Sequence, residues 1–449
     1  MPSKTNNNRY KKTIEVPKKS KETALLSKVR GLKDVLPDEY KYWDLVNRKL
    51  NDLAKIYNFQ RTELPLLEYQ SLYDKAAGKN SVLVTEELAL MQTKTGEKVA
   101  LRPDVLPGLV RSLLEHGLLN LGGIVKSFWT GPVVVYDAAQ GGRARQFTQA
   151  SFDLLGNFGA SGDVQLILMA YHFFEELQLE VEVQVNSVGC QECHQAYLKE
   201  LNEAWKERGR KAKLCNDCKK AVLKNPLAVF ACRETACIEV AAELPPAVDH
   251  LCDGCRKHFE RVLEFLDNLS IPYALNTKLF ELRGYDFWSK TIFEIVPLGE
   301  TRRHTALASG GNYAGLIDIL GAKIGAASGI VIDVERTISR IRSHNITVGG
   351  SEKIDIFIAQ LAESAKQKCM TLFEELRRAG FKVREHFICD NLKGQLDEAE
   401  KVNARFTLIL GQKELMDDTI LLRDMESGVQ ETIDMRKLVN ELDRRLNIG

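Results

Sequence analysis

The chain has 449 residues, of which 44% are apolar and 27% charged, with a formal net charge of +1. That length exceeds one ordinary core and implies two or three domains, and the composition excludes a wholly disordered chain. Near-neutral charge neither requires nor excludes a nucleic-acid partner, which needs only a local basic face.

Residues 1–29 read as a disordered basic tail: Lys4, Arg9, Lys11, Lys12, Lys18, Lys19, Lys21 and Lys28 face only Glu15 and Glu22, with almost no apolar periodicity. An RNA-contacting arm and a solvated extension fit it equally. Within 32–59, Trp43, Val46, Leu50, Leu53 and Tyr57 recur at helical spacing, and the TELPLLEY segment that follows is extended and broken at Pro65. EKVALRPD reads as a strand and 110–119 as a short helix. From 123 to 156, KSFWTGPVVVYD and QFTQASFDLLG form an antiparallel hairpin around the loop AAQGGRAR.

A helix is expected over 163–177, a strand over VEVQVNSVG, and a mainly helical, cysteine-rich region over 190–269. A strand pair follows around YALNTKLFELRGYDF and TIFEIVPL, then a turn on Gly310 and Gly311. The apolar run GAASGIVIDVERTISRI leads into a helix bearing Glu335 and Arg336. Strands and helices do not alternate strictly, which predicts an α+β core over 30–345 with an antiparallel sheet. A linker spans 346–352. Beyond it, 353–449 shows a β-α-β-α-β pattern with a final hairpin and helix, implying a small, largely parallel α/β domain.

Eight of the ten cysteines fall between Cys190 and Cys255, as the pairs Cys190/Cys193, Cys215/Cys218, Cys232/Cys237 and Cys252/Cys255. No apolar run is long enough for a signal peptide or membrane helix, so the expected compartment is cytoplasmic and its thiols reduced. Paired knuckles in that setting suit up to two Zn²⁺ sites of four thiolates each. The spacing leaves the pairing of knuckles open, allows His194 or His250 to replace a thiol, and is also compatible with small core residues.

The order of these blocks resembles the histidyl-tRNA synthetase family over almost all of 30–449. RGLKDVLPDE and the helix ending near TELPLLEY are similar to the first class II motif, ALRPD to the amino-acid-binding turn, and FWTGPVVVYDAAQGGRARQFTQ to the second motif and its loop. LRGYDFWSKTIFE resembles the histidine-specific peptide, SGGNYAGL its glycine-rich turn, and SGIVIDVERT the third motif. LKGQLDEAEKVNARFTLILGQKEL closely resembles the anticodon-binding domain. The resemblance implies a class II catalytic core with a cysteine-rich helical insertion, a homodimer built on the first motif, and ATP, Mg²⁺, L-histidine and tRNA as ligands, with no membrane.

By the same resemblance, Arg283 stands at the catalytic arginine, Arg336 at the arginine of the third motif that holds the triphosphate, and Arg143 and Arg145 on the mobile loop. Gln149 stands where a side chain reaches bound histidine, and the histidine pocket further includes Asp104, Asp153, Phe287 and Trp288. Asp104 and Asp153 shorten glutamates, Leu106 replaces a hydroxyl residue, Phe287 and Trp288 replace a tyrosine pair, and Asn312 and Ala314 replace an arginine and an aspartate. On the ATP side, Val135 stands in place of an α-phosphate-binding arginine, and loss of one such donor typically costs about 2.7–4 kcal/mol. Asp333 replaces a glycine, and a carboxylate near phosphate adds repulsion on the order of 4 kcal/mol unless Arg336 or Mg²⁺ offsets it. The expected function is therefore a synthetase-like protein that binds tRNA and histidine with weak or no adenylate formation. The alternative is an active histidine-tRNA ligase. A third reading is a regulatory subunit of the ATP phosphoribosyltransferase type, a relative that lacks the anticodon domain present here.

Overall fold

The computed structural model describes residues 27–446 except 80, 121, 137–144, 208, 224, 233, 281, 283–284, 301–304, 324, 347, 349–352 and 390. Most of the basic tail, Arg143, Arg283 and most of the 346–352 linker lie outside the described residues. The chain divides into two compact units, Met1–Ile346 and Thr347–Gly449.

The first unit opens with α1 (Pro37–Ile56), which starts later than the apolar spacing alone suggests. Pro37 suits the first helical position, where its missing N–H costs nothing, and Asp38 and Glu39 favour the positive helix start. Val46, Leu50 and Leu53 form its buried stripe. A two-residue strand β1 (Gln60–Arg61), β2 (Leu67–Tyr69), α2 (Gln70–Ala76), β3 (Ala89–Gln92) and β4 (Lys98–Leu101) lead to α3 (Leu106–Glu115), which begins earlier than the expected 110–119 helix. Strands β2, β4 and β3 make a small antiparallel sheet in that order. The expected hairpin is β5 (Val125–Val134) with β6 (Gln146–Gly156), and α4 (Ala160–Glu176) and β7 (Val181–Gly189) follow. The cysteine-rich region holds α5 (Gln191–Ala204), α6 (Asn216–Ala221), α7 (Thr235–Ala242) and α8 (Asp253–Asn268). The unit closes with β8 (Tyr273–Leu275), β9 (Ser289–Pro297), β10 (Ala308–Asn312), α9 (Ala314–Leu320), β11 (Ala326–Asp333) and α10 (Val334–Ser343).

The main sheet runs β1-β5-β6-β11-β10-β9-β7-β8. Its six inner strands are antiparallel neighbours, and one short strand pairs in parallel at each edge. Two sequence expectations are corrected here. The segments expected to pair with each other, now β8 and β9, instead flank β7 on opposite sides. Gly310 and Gly311 do not form a turn; both lie inside β10, and the chain turns after them at Tyr313. Their smallness serves close packing: a Cβ on Gly310 would come within 2.3 Å of the Gly329 carbonyl oxygen, and one on Gly311 within 2.6 Å of the Thr291 carbonyl oxygen. Helices α4 and α10 cover one face of this sheet, with α1 packed on both. No helix among the described residues is long and apolar enough to cross a membrane.

The second unit contains β12 (Ile354–Gln360), α11 (Glu363–Arg378), β13 (Val383–Glu385), α12 (Leu392–Lys401), β14 (Ala404–Leu410), α13 (Gln412–Met416), β15 (Thr419–Asp424), β16 (Gln430–Asp434) and α14 (Leu438–Leu446). Its sheet runs β13-β12-β14-β15-β16, parallel through the first three strands and antiparallel through the hairpin. The near-continuous apolar runs IDIFIAQ and RFTLILG are its two central strands, and on both faces they carry buried side chains.

Two glycines of the first unit should respond with opposite sign. A Cβ on Gly329 would lie 2.2 Å from Asp153 Oδ1 and 2.9 Å from the Tyr313 ring, whereas one on Gly254, within α8, meets nothing within 4 Å. Gly329→Ala is expected to lower unfolding free energy by about 1–3 kcal/mol, and Gly254→Ala to raise it by about 0.5–1 kcal/mol. Urea unfolding of both variants checks this; a neutral Gly329→Ala would refute the packing described.

Candidate functional site

Residues two apart on a strand share a face. On β6 this brings Gln149, Ser151 and Asp153 to the face opposite α4. Their cross-strand partners are Gly131, Trp129 and Ser127 of β5 and Asp333, Val331 and Gly329 of β11. Strands β10 and β9 continue the face with Ser309 and Gly311, then Glu294 and Ile292. Expected histidine-side and ATP-side residues thus stand side by side, with Gln149 directly opposite Asp333.

On the histidine side the carboxylates are engaged internally. Asp153 is fully buried, accepts a hydrogen bond from the Tyr313 hydroxyl at 3.0 Å, and accepts another from Ser151. Burial pushes its pKa up to about 7, against the lowering effect of those two donors. Asp104 is buried and accepts from the Leu106 N–H at 2.8 Å, which fixes the start of α3. Gln149 differs: its Oε1 is buried and has no hydrogen-bond partner among the described residues. Phe287 and Trp288 are buried and 5.1 Å apart between ring centroids, and Trp288 packs edge-on to Tyr313 at 6.5 Å. The Trp288 indole N–H donates to the Leu282 carbonyl at 3.2 Å, so its polar atom supports the backbone. Gly315 lets the chain close on this pair, because a Cβ there would meet the Phe287 carbonyl oxygen at 2.6 Å.

Among the described residues expected on the ATP side, positive charge is either absent or engaged. Val135 continues the alternation of Trp129, Gly131 and Val133; its N–H donates to the Arg145 carbonyl at 2.8 Å and its side chain is aliphatic. The Arg145 guanidinium lies 4.7 Å over the Tyr136 ring, and its aliphatic part packs where a Gly31 Cβ would stand. Asp333 caps α10 through an Arg336 N–H bond of 2.9 Å and also pairs with Arg336 Nε at 3.0 Å. Arg336 Nη1 donates to the Ala306 carbonyl at 3.0 Å.

Sequence reasoning passed over several residues that build the site. Glu335 accepts the Thr148 N–H on both oxygens, at 2.9 and 2.8 Å, which locks α10 onto β6. Burial first, and the nearby Asp333 charge in addition, raise its pKa to about 7. Arg102 is buried over the Trp129 ring at 4.3 Å and donates to the carbonyls of Leu64, Pro65 and Pro132, joining the first-motif and second-motif segments. Glu294 is a buried carboxylate on the site face; the signal for it was an acid alternating with apolar residues in TIFEIVPL. Behind the sheet, His258 Nε2 lies 2.8 Å from Asp163 Oδ2, and Asp163 Oδ1 accepts from Ser328. Ser328 accepts from Asn312 at 3.3 Å, and Asn312 Oδ1 accepts from Ser289 at 2.8 Å and from the Ala314 N–H at 3.2 Å.

The cysteines resolve into two groups, Cys190/Cys193/Cys252/Cys255 and Cys215/Cys218/Cys232/Cys237, and within each group all sulfurs lie within 4.8 Å of one another. The outer knuckles pair together and the inner knuckles pair together. Neither His194 nor His250 belongs to a group. All eight are free thiols.

An antiparallel sheet with helices on one face and this residue pattern on the other defines a class II synthetase core. The chain matches the histidyl-tRNA synthetase family over residues 31–337 and the anticodon binding domain family over 355–445. It is 32% identical to a histidine–tRNA ligase of Dehalococcoides mccartyi over 418 residues, covering 93% of this chain and 99% of that protein. Among solved structures it is similar to the apo histidyl-tRNA synthetase of S. aureus, at 25% identity and a TM-score of 0.76, covering 93% of this chain and all of that one. A Bacillus halodurans C protein titled ATP phosphoribosyltransferase regulatory subunit/histidyl-tRNA synthetase shares the fold at 17% identity and a TM-score of 0.60, covering 87% of this chain and 99% of that one. The chain belongs to the histidyl-tRNA synthetase family.

The raised pKa of Asp153 sets a direction for pH dependence. Its folded value of about 7 exceeds the ordinary 3.8, so the protonated form is favoured in the folded state. The stability this contributes is full below about pH 4 and is lost as pH rises to about 7. Asp153→Asn removes the titration, so the stability of the variant relative to wild type should rise across that window, by at most about 4 kcal/mol. Thermal unfolding of both proteins at several pH values measures it, and a difference that is flat with pH would contradict the assignment.

Proposed function

We propose that the protein binds tRNA and L-histidine on a histidyl-tRNA synthetase scaffold and forms histidyl-adenylate weakly or not at all. The observation that carries this reading is the Asp333–Arg336 pair. Asp333 places its carboxylate where the resemblance expects a glycine beside ATP, and it engages the guanidinium that should hold the triphosphate. One expected cation is thereby missing and another weakened, since Val135 supplies none and Arg336 must first leave a charged partner. Of the described residues on the expected ATP side, Val135 offers phosphate no donor and Asp333 offers it repulsion. Histidine recognition is supported by the buried, unpartnered Gln149 Oε1, which a bound donor would satisfy.

The second reading, an active ligase, is favoured by the 93% coverage of a curated histidine–tRNA ligase and by the Glu335 brace that keeps β6 and α10 in place. Histidine-dependent exchange of labelled pyrophosphate into ATP separates the two. Our reading expects exchange near background for the wild type and at least about tenfold more for Val135→Arg combined with Asp333→Gly, the return of about 1.4 kcal/mol of transition-state stabilisation. Robust wild-type exchange would favour the ligase.

Binding of tRNA is assigned to residues 353–449, in keeping with the anticodon binding domain match. Affinity should fall with added salt and should fall further when those residues are removed; equal affinity of the shortened chain would remove this part. Homodimerisation is supported by Leu67, Tyr69 and Met91, apolar side chains exposed on one face of the small sheet. Zn²⁺ completes the set of ligands.

A further inference from the structure

The two cysteine groups hold unequal places in the chain. Cys190 caps α5 and Cys193 lies in its first turn, while Cys252 caps α8 and Cys255 lies in its first turn. This group therefore gathers both roots of the insertion at the end of β7. Gly189, at φ +70°, lets it sit there, because a Cβ would come within 2.3 Å of Cys193 Cβ and 2.9 Å of the Leu251 side chain. The other group joins Cys215 and Cys218 of α6, Cys232, and Cys237 of α7, all inside the insertion.

Each group has the dimensions of a single-ion tetrathiolate site. Tetrahedral thiolates about 2.3 Å from one ion stand about 3.8 Å apart. Here Cys190 and Cys193 sulfurs are 3.6 Å apart and Cys215 and Cys232 sulfurs 3.9 Å apart, whereas a disulfide would need about 2.05 Å. Backbone N–H groups also support the sulfurs: Cys252 donates to Cys193 at 3.1 Å, Cys215 to Cys237 at 3.2 Å, and Cys218 to Cys215 at 3.4 Å. The helix starts at the first group favour the negative charge that four thiolates around a divalent ion leave behind. Four sulfur ligands with no oxygen or imidazole suit Zn²⁺.

We propose that the chain binds two Zn²⁺ ions with different tasks: the Cys190/Cys193/Cys252/Cys255 ion clasps the insertion to the catalytic sheet and holds the network behind the histidine pocket, and the Cys215/Cys218/Cys232/Cys237 ion shapes the insertion alone. Each ion displaces four thiol protons to solvent as it binds. The route of the first ion is short. Helix α8 leaves the cysteine group and, three residues after Cys255, presents His258 to Asp163; Asp163 holds Ser328, which holds Asn312 at the turn beside Trp288 and Tyr313. Among the described residues no polar relay of this kind leads from the second group to the sheet; its link is apolar, with Cys218, Cys237 and Phe230 in one core with Phe280 and Trp288.

Elemental analysis of protein purified under reducing conditions without added metal should return two zinc ions per chain, and Co²⁺ exchanged into both sites should give sulfur-to-cobalt charge-transfer bands and tetrahedral ligand-field bands. Zinc contents near zero or one, or another metal in its place, would overturn the proposal. For the division of tasks, Cys252→Ser with Cys255→Ser should leave one zinc and speed hydrogen exchange in α8 and in residues 308–316. Cys232→Ser with Cys237→Ser should also leave one zinc, with faster exchange confined to about 205–250. Equal spread from both variants would overturn the division. Should only the first pair fail to fold, the division is supported; should only the second fail, it is overturned. If both fail, the two-site count and the cobalt spectrum of the wild type still decide whether the ions are there, and stepwise chelation followed by exchange decides which segment each one protects. Because hydrogen exchange and metal content need neither histidine nor ATP, failure here is distinguishable from failure of the ligand-binding reading.

Discussion

The first unit depends on a carboxylate placed where water cannot reach it. Asp163, at no exposure, sits in the first turn of α4 under the sheet. An unpaired charge there would cost several kcal/mol, so every neighbouring element must supply a partner or keep out of the way. Ser328 comes from β11, His258 from α8, and Asn312 follows through Ser328. Helix α4, helix α8, and strands β10 and β11 are therefore held in one mutual register by a polar requirement, in addition to the apolar core that Phe173, Phe174 and Ile330 help to build. The glycines of β10 and β11 answer a separate crowding, from the backbone of neighbouring strands at Gly310 and Gly311 and from Asp153 and Tyr313 at Gly329.

Much of this was legible in the chain itself. The alternation in VEVQVNSVG fixed a strand to its exact ends because one face is core and the other half-covered, and continuous apolar runs in the second unit announced strands buried on both faces. What stayed hidden has a common cause, which is that partners distant in sequence leave no periodic trace. Nothing local says that Cys190 meets Cys252 and not Cys215, that Glu335 reaches Thr148, or that Arg102 bridges two segments some thirty residues to either side. Gly310 and Gly311 were misleading for a related reason: paired glycines suggest a turn, but here the demand came from neighbouring strands. Arg283 and Arg143, singled out from sequence, fall outside the described residues.

Asp333 shows how a gain in helix capping can oppose the phosphate-binding task proposed for its neighbour Arg336. Aspartate is among the best residues for starting a helix, and Asp333 does this for α10 while also pairing with Arg336. Glycine at that point would leave the helix start less well capped and the arginine more available. In the proposed reading, folding stability and phosphate binding would draw on the same guanidinium, a conflict of the kind that commonly separates stability from activity.

The insertion leaves the sheet after β7 and returns at α8 with its two roots close enough for Cys190 and Cys252 sulfurs to share one group. A segment whose ends nearly touch acts as a pendant: its length and sequence can change while the strands it interrupts keep their spacing, because closing a longer loop between fixed points costs little extra entropy. That freedom belongs to the exposed parts of 194–251, because Tyr197, Phe230 and Cys237 share one core with Phe287, Trp288 and Tyr313 and are tied to the sheet that carries them.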